Sequence, residues 1–145
     1  MNKPTEKPKL SPEEYKKILQ GIKLMGISLK ESKAFINTDL KAPTELNIKI
    51  KDEASFKVKE ENEVHVFQLY SLDARKPSSK SRYIQIEVNF IIKLSSKEIF
   101  TEDFFEIYKN ISLHLNTWPY FREYVNQATA RMNIQALTIP LYTTP

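Results

Sequence analysis

The histidines, His65 and His114, are the first side chains to test for chemistry. A neutral imidazole can take a proton or a metal ion near neutral pH. Neither histidine has a second ligand at HxxxH or HxxE spacing. Asp103 and Glu123 are the carboxylates expected to reach His114, and a structural hydrogen bond is the role expected of both rings. Cysteine is absent, which removes thiolate nucleophiles, thiolate metal sites and disulfides. No serine sits in GxSxG or SxxK. Only two glycines occur, Gly21 and Gly26, too few for a glycine-rich phosphate loop. The carboxylate pairs Glu60-Glu61 and Glu102-Asp103 fall in a turn and at a helix start, where solvation and capping explain them. The chain is therefore read as a non-enzyme with no catalytic residue, no metal site and no cofactor.

Charge offers a second chemistry. Arg75, Lys76, Lys80 and Arg82 surround one polar turn, with Tyr83 beside them. Such a tip can contact phosphates, so a nonspecific nucleic-acid binder using the basic hairpin 75–83 is one alternative. No nucleic-acid module motif accompanies it. The formal charge of +4 is otherwise spread over lysines interleaved with Glu and Asp, the pattern of a solvated mixed surface.

The elements that would position these groups follow from periodicity. The chain has 145 residues, 41% of them hydrophobic, which suits one domain with a real core. Residues 1–14 carry Lys3-Pro4, Lys7-Pro8 and Ser11-Pro12 and read as a flexible N-terminal tail; residues 15–142 read as a single domain. The opening lacks the apolar core of a signal peptide, and no stretch reaches the ~18 apolar residues of a spanning helix. A soluble cytoplasmic protein without membrane insertion is expected.

Ile18 to Leu29 predicts a long, bent strand, its two glycines permitting a bulge or a close backbone approach. Leu46, Ile48 and Ile50 alternate with polar residues, and Phe56 and Val58 extend that strand after a loop. Val64–Leu72 and Arg82–Ile92 predict two more strands joined as a hairpin. The period then changes. Thr101 starts a helix, and Phe104, Tyr108, Ile111, Leu115 and Trp118 recur at spacings of four and three. Phe121, Val125, Ala128 and Met132 continue the stripe past Pro119, which predicts a kink near Trp118 or a restart capped by Thr117. Asn133 is placed to end the helix in a left-handed conformation. An apolar tail follows, which must cover something. The fold class is α+β: a four-stranded antiparallel sheet, one long kinked helix and an extended C-terminal tail. Phe105, Tyr120 and Tyr124 fall off the stripe and suggest a second apolar surface for another copy or a client.

Thr117-Trp118-Pro119-Tyr120-Phe121-Arg122-Glu123 resembles the FPYARE segment of the SecB export chaperones. Arg131 and then Leu137-Thr138-Ile139-Pro140 resemble the family's RGxFPxLxLxP run, and Ile22–Leu29 is similar to its first strand. The resemblance spans about residues 15–142. It implies a SecB-like fold, a homodimer pairing into a homotetramer, and ATP-independent holding of unfolded polypeptides along apolar grooves for protein export. Some relatives instead guard one partner, such as an antitoxin. The sequence departs from the family at Met132, where it has glycine, and at Gln135, where it has proline. The family's second helix has no counterpart before Thr144-Pro145, and this chain is basic where the family is acidic. Both departures count against docking on the export motor.

On this reading the client-binding candidates are Trp118, Tyr120, Ile134, Leu137, Ile139, Leu141 and Tyr142. The oligomer-interface candidates are Ile22 and Leu24 on the first strand with Phe105, Tyr108, Ser112 and Leu115 on the helix.

Overall fold

The computed structural model describes residues 10–77 and 79–141. Four long antiparallel strands form the sheet: β1 (Ile22–Ile36), β2 (Asn47–Glu60), β3 (Glu63–Arg75) and β4 (Arg82–Ser96). Their order is β1-β4-β3-β2. Consecutive hairpins link β2, β3 and β4, while β1 returns beside β4, a Greek-key arrangement. The expected loop before Phe56 is not there, because β2 pairs with β3 continuously from Asn47↔Arg75 to Val58↔Val64.

Strict alternation gives the sheet one dry face. Val64, Val66, Tyr70 and Leu72 of β3 and Ile84, Ile86, Val88, Ile92 and Leu94 of β4 are each at most 2% exposed. Their neighbours on the opposite face, such as Asp73, Gln85 and Glu87, remain open to solvent in part. Side chains one residue apart thus belong to different environments.

Helix α1 (Pro12–Gln20) replaces the first part of the expected strand. Ser11 caps it by accepting from the Glu14 N–H, and Pro12 stands in the first turn, where its missing N–H costs nothing. The strand begins only after Gly21. A Cβ there would sit 3.1 Å from the Lys97 side chain, so Gly21 permits a close approach. Gly26 follows a bulge between Leu24 and Gly26 and faces open space. That bulge puts Leu24, Ile27 and Leu29 opposite Leu94, Ile92 and Phe90, all on the helix-covered face. A regular strand would have split them between faces.

Two helices follow the sheet. Thr101 caps α2 (Glu102–Tyr108), and α3 runs from Ser112 to Arg131. The break lies at 109–111 rather than at Trp118. There the Asn110 side chain donates to the Glu106 carbonyl, a local bond that competes with helix continuation. Pro119 sits inside α3 on an exposed flank with Leu115, where solvent can serve the carbonyl that proline leaves without a donor. The break also re-phases the stripe. Leu113, Thr117, Phe121, Val125 and Thr129 are buried, while Ile111 and Leu115, expected in the stripe, are 41% and 50% exposed.

Aromatic rings join the layers. Phe121 stacks on Tyr70 with centroids 4.7 Å apart, fixing α3 to β3. Phe56 of β2 meets Phe100 at 4.9 Å and Phe105 at 4.8 Å, and Tyr15 of α1 stacks on Phe104 at 5.0 Å. Asn133, at φ 58°, closes α3 in the left-handed region as its sequence position predicts.

Candidate functional site

Helix α3 lies over the sheet with an apolar trough on each side. The first opens between α3 and β1. Leu29, Ala34, Ile36 and Phe90 form its floor and Tyr120, Tyr124, Ala128 and Met132 its wall. Glu123, Gln127 and Arg131 also line it, and its volume is about 540 Å³. This trough exists because β1 is an edge strand, bonded to β4 alone among the described residues. Its outer N–H and C=O groups are available to another chain. Leu24, Met25, Leu29 and Phe35 along it are 44–62% exposed. An exposed edge beside an apolar floor suits an extended peptide, which gains main-chain hydrogen bonds and side-chain burial together.

The second trough holds a chain already. The extended segment after Asn133 turns back along α3, and side chains of the helix grip its backbone. Thr129 Oγ1 accepts from the Leu137 N–H at 2.8 Å. Asn126 Nδ2 donates to the Leu137 carbonyl at 3.4 Å. Arg122 Nε donates to the Ile139 carbonyl and Trp118 Nε1 to the Pro140 carbonyl, each at 2.8 Å. Positions 118, 122, 126 and 129 are three or four residues apart and share one helix flank. Ile139 is 3% exposed beneath this ladder. The tail therefore covers one flank of α3, with Ile139 joining the buried core. At its end Leu115, Trp118, Pro119 and Leu141 leave a remaining hollow of about 420 Å³.

The candidate client-binding residues thus separate. Tyr120 lines the open trough and is 48% exposed. Trp118 and Leu141 line the remaining hollow, and Leu141 is 71% exposed. Leu137 and Ile134 are half-buried against the core, and Ile139 is buried. Tyr142 lies outside the described residues. Among the interface candidates, Leu24 and Leu115 are exposed, and Ile22 and Ser112 are half-buried. Phe105 and Tyr108 are packed inside their own chain, at 5% and 2% exposure. Burial pushes the Tyr108 phenol up to about 12, opposed by its hydrogen bond with Asn116.

His114 is held by a different carboxylate from those expected. Its Nε2 lies 3.3 Å from Asp52 on β2, and its Nδ1 is 2.9 Å from the Tyr70 hydroxyl. That hydroxyl also meets Thr117 Oγ1 at 2.7 Å, so the network ties β2 and β3 to α3. No cluster of metal-ligating side chains occurs among the described residues, and no described helix is long and apolar enough to cross a membrane.

Sequence reasoning missed the floor residues Ala34 and Ile36 and the gripping side chains Arg122, Asn126 and Thr129. The latter carried a signal: polar residues at helical spacing next to Trp118, facing an apolar tail that needed backbone partners.

The sequence matches no protein-family profile and no curated protein. The structure does match solved ones. A SecB-like chaperone of Mycobacterium tuberculosis, in complex with a ChAD peptide from an antitoxin, superposes with a TM-score of 0.73. The two are 17% identical over 86% of this chain and 93% of that one. A protein of unknown function from Streptococcus agalactiae, 8% identical over 83% of this chain and 97% of that one, reaches a TM-score of only 0.43. The first likeness establishes the architecture: this chain has the SecB-like fold.

Proposed function

We propose that this protein is an ATP-independent holdase that binds extended, apolar stretches of unfolded polypeptide in the trough between β1 and α3. The observation that carries the reading is that trough itself, an apolar channel of about 540 Å³ beside a strand edge that no described residue pairs with. Burying apolar client surface there contributes roughly 25 cal/mol per Å². Bonding to the β1 edge adds affinity that ignores client sequence. Tyr120 is the proposed client contact on the helix side, with Trp118 and Leu141 as a second foothold at the tail hollow.

The same edge supports self-association. We place a homodimer or homotetramer contact on Ile22 and Leu24 of β1 and on Ser112 and Leu115 of α3. Several troughs in one assembly raise avidity through effective concentration. No catalytic step enters the mechanism. A cytoplasmic, cysteine-free protein fits this role; docking on an export motor is left out of the proposal because the chain is basic, with a formal charge of +4.

A second reading has its own support. The similar chaperone of M. tuberculosis is bound to an antitoxin peptide. A single dedicated client, such as an antitoxin, would use the same trough here.

The test is light scattering of an aggregation-prone unfolded protein without ATP, alongside the particle mass by multi-angle scattering. The parent chain should suppress aggregation, and Leu29→Glu/Tyr120→Glu should lose that action while keeping its circular dichroism. Absence of suppression by the parent for every client tried would remove the general reading. The dedicated reading would then need stoichiometric binding to one protein.

A further inference from the structure

The face of the sheet turned away from the helices carries a basic tray. Lys49 and Lys51 of β2, Arg75 of β3, Arg82 of β4 and the neighbouring Lys76 line a hollow of about 490 Å³. Two carboxylates, Asp73 and Glu87, share it. Five positive and two negative side chains leave a surplus of three, most of the +4 carried by the whole chain. The lysines look scattered along the sequence because they lie on different strands. Antiparallel register brings them together: Lys49 stands opposite Asp73, Lys51 opposite Ser71, and Asn47 opposite Arg75.

Both carboxylates are already engaged. Asp73 holds Arg75 through Nε at 2.8 Å and Arg82 through Nε at 2.9 Å. Glu87 accepts from Gln85 Nε2 at 3.2 Å, and Gln85 in turn accepts from Arg82 at 3.2 Å. The Asp73 clamp fixes the two arginines while leaving their side chains 37% and 50% exposed. Lys49, Lys51 and Lys76 make no ion pair among the described residues. Such a surface offers oriented guanidinium forks and free ammonium groups to carboxylates.

We infer that this tray is a docking surface for an acidic polypeptide segment, used independently of the trough on the helix side. Charge complementarity selects the sign of the partner. The composition selects its class. A nucleic acid presents one charge per ~1.7 Å of duplex and favours an unbroken basic track with aromatic platforms for bases. This tray is interrupted by Asp73 and Glu87, and no aromatic ring among the described residues lines it. A peptide with spaced carboxylates meets the basic groups and can donate its own N–H groups to Glu87, Asn47 and Ser71. The sheet separates tray from trough, so an acidic partner and an extended client can be held together. The inference does not rest on the holdase reading.

The experiment is fluorescence anisotropy of a labelled oligoglutamate peptide titrated with the full chain. Saturable binding is expected that weakens as salt rises. Lys49→Glu/Lys51→Glu should weaken it by about tenfold, since two attractive contacts become repulsive. Lys16→Glu/Lys41→Glu makes the same change in net charge elsewhere and should leave binding within about twofold. Equal losses in both variants would mean a net-charge effect and overturn the proposal. Tighter binding of labelled oligothymidylate through the same lysines would overturn it in favour of nucleic acid. No binding of either probe would overturn it outright. Suppression of client aggregation, measured on the same variants, reports separately on the trough.

Discussion

The two sides of α3 differ in one respect that matters. Both are apolar troughs between the helix and its surroundings, but the tail side is filled and the β1 side is open. On the filled side, Trp118, Arg122, Asn126 and Thr129 point hydrogen-bonding groups at a backbone. On the open side the helix presents Tyr120, Tyr124, Ala128 and Met132, and the backbone partner is a strand edge instead. One helix thus holds a chain by its side chains on one flank and leaves room for a chain by strand addition on the other. The comparison teaches that an apolar surface alone does not fix its occupant. The placement of main-chain partners does, because every buried N–H and C=O must be satisfied.

The largest expected effect tests whether the filled side is structural. Ile139→Ala should cost about 2–4 kcal/mol in urea denaturation, through lost burial and a cavity beneath the ladder. Client holding well below the unfolding midpoint should be little changed. A loss of holding without a loss of stability would reverse the roles of the two sides.

Next comes a control remote from both troughs. The Tyr108 phenol, raised by burial to about 12, stays protonated in the fold after the unfolded chain begins to ionise near its ordinary value of 10. Its contribution is therefore complete below pH 10 and is lost as pH rises from about 10 to about 12, amounting to about 2–3 kcal/mol. Alkaline unfolding curves of the parent and of Tyr108→Phe should be offset by a constant amount below pH 10, from the lost Asn116 hydrogen bond, and should shift relative to each other only in that window.

Thr129→Val removes the acceptor of the Leu137 N–H and should cost about 1–2 kcal/mol, read as a shift of the thermal midpoint. Trp118→Phe removes one donor and keeps an aromatic ring. It should cost about 1 kcal/mol and raise amide exchange at Leu141, just beyond the released Pro140 carbonyl. The smallest effect on stability belongs to the open side. Tyr120→Ala should change stability by no more than about 0.5 kcal/mol, because the ring is half-exposed, yet weaken client holding several-fold in the scattering assay. Should Tyr120→Ala hold clients like the parent while Trp118→Phe does not, the open side would lose its claim.

Much of the architecture was legible because strand and helix periods are local. The alternation from Ile84 to Ile92 specified a half-buried strand, and Thr101 with Glu102 and Asp103 specified a helix start. Asn133 marked the helix end because few other side chains tolerate a positive φ. The segment Trp118–Glu123 pointed to the helix that walls both troughs. These features depend on a residue and its near neighbours, so a sequence can state them.

Other features needed the folded chain. The bulge at Leu24–Gly26 changed which face Ile27 and Leu29 occupy, and a bulge is fixed by its partner strand. The break at 109–111 rotated Ile111 and Leu115 to the surface, a choice made by the packing of Phe104, Phe105 and Tyr108 against Phe56, Phe100 and Tyr15. His114 met Asp52 across more than sixty positions of chain. The basic tray was legible only at the 75–83 turn, because antiparallel register is what adds Lys49 and Lys51 of β2 to it. The sequence determined which segments bury a face and where they begin and end, since those depend on short-range periodicity and capping. Only the tertiary structure decided which faces meet, which strands lie at the sheet edges and which trough the tail fills, since those depend on contacts between residues far apart in the chain.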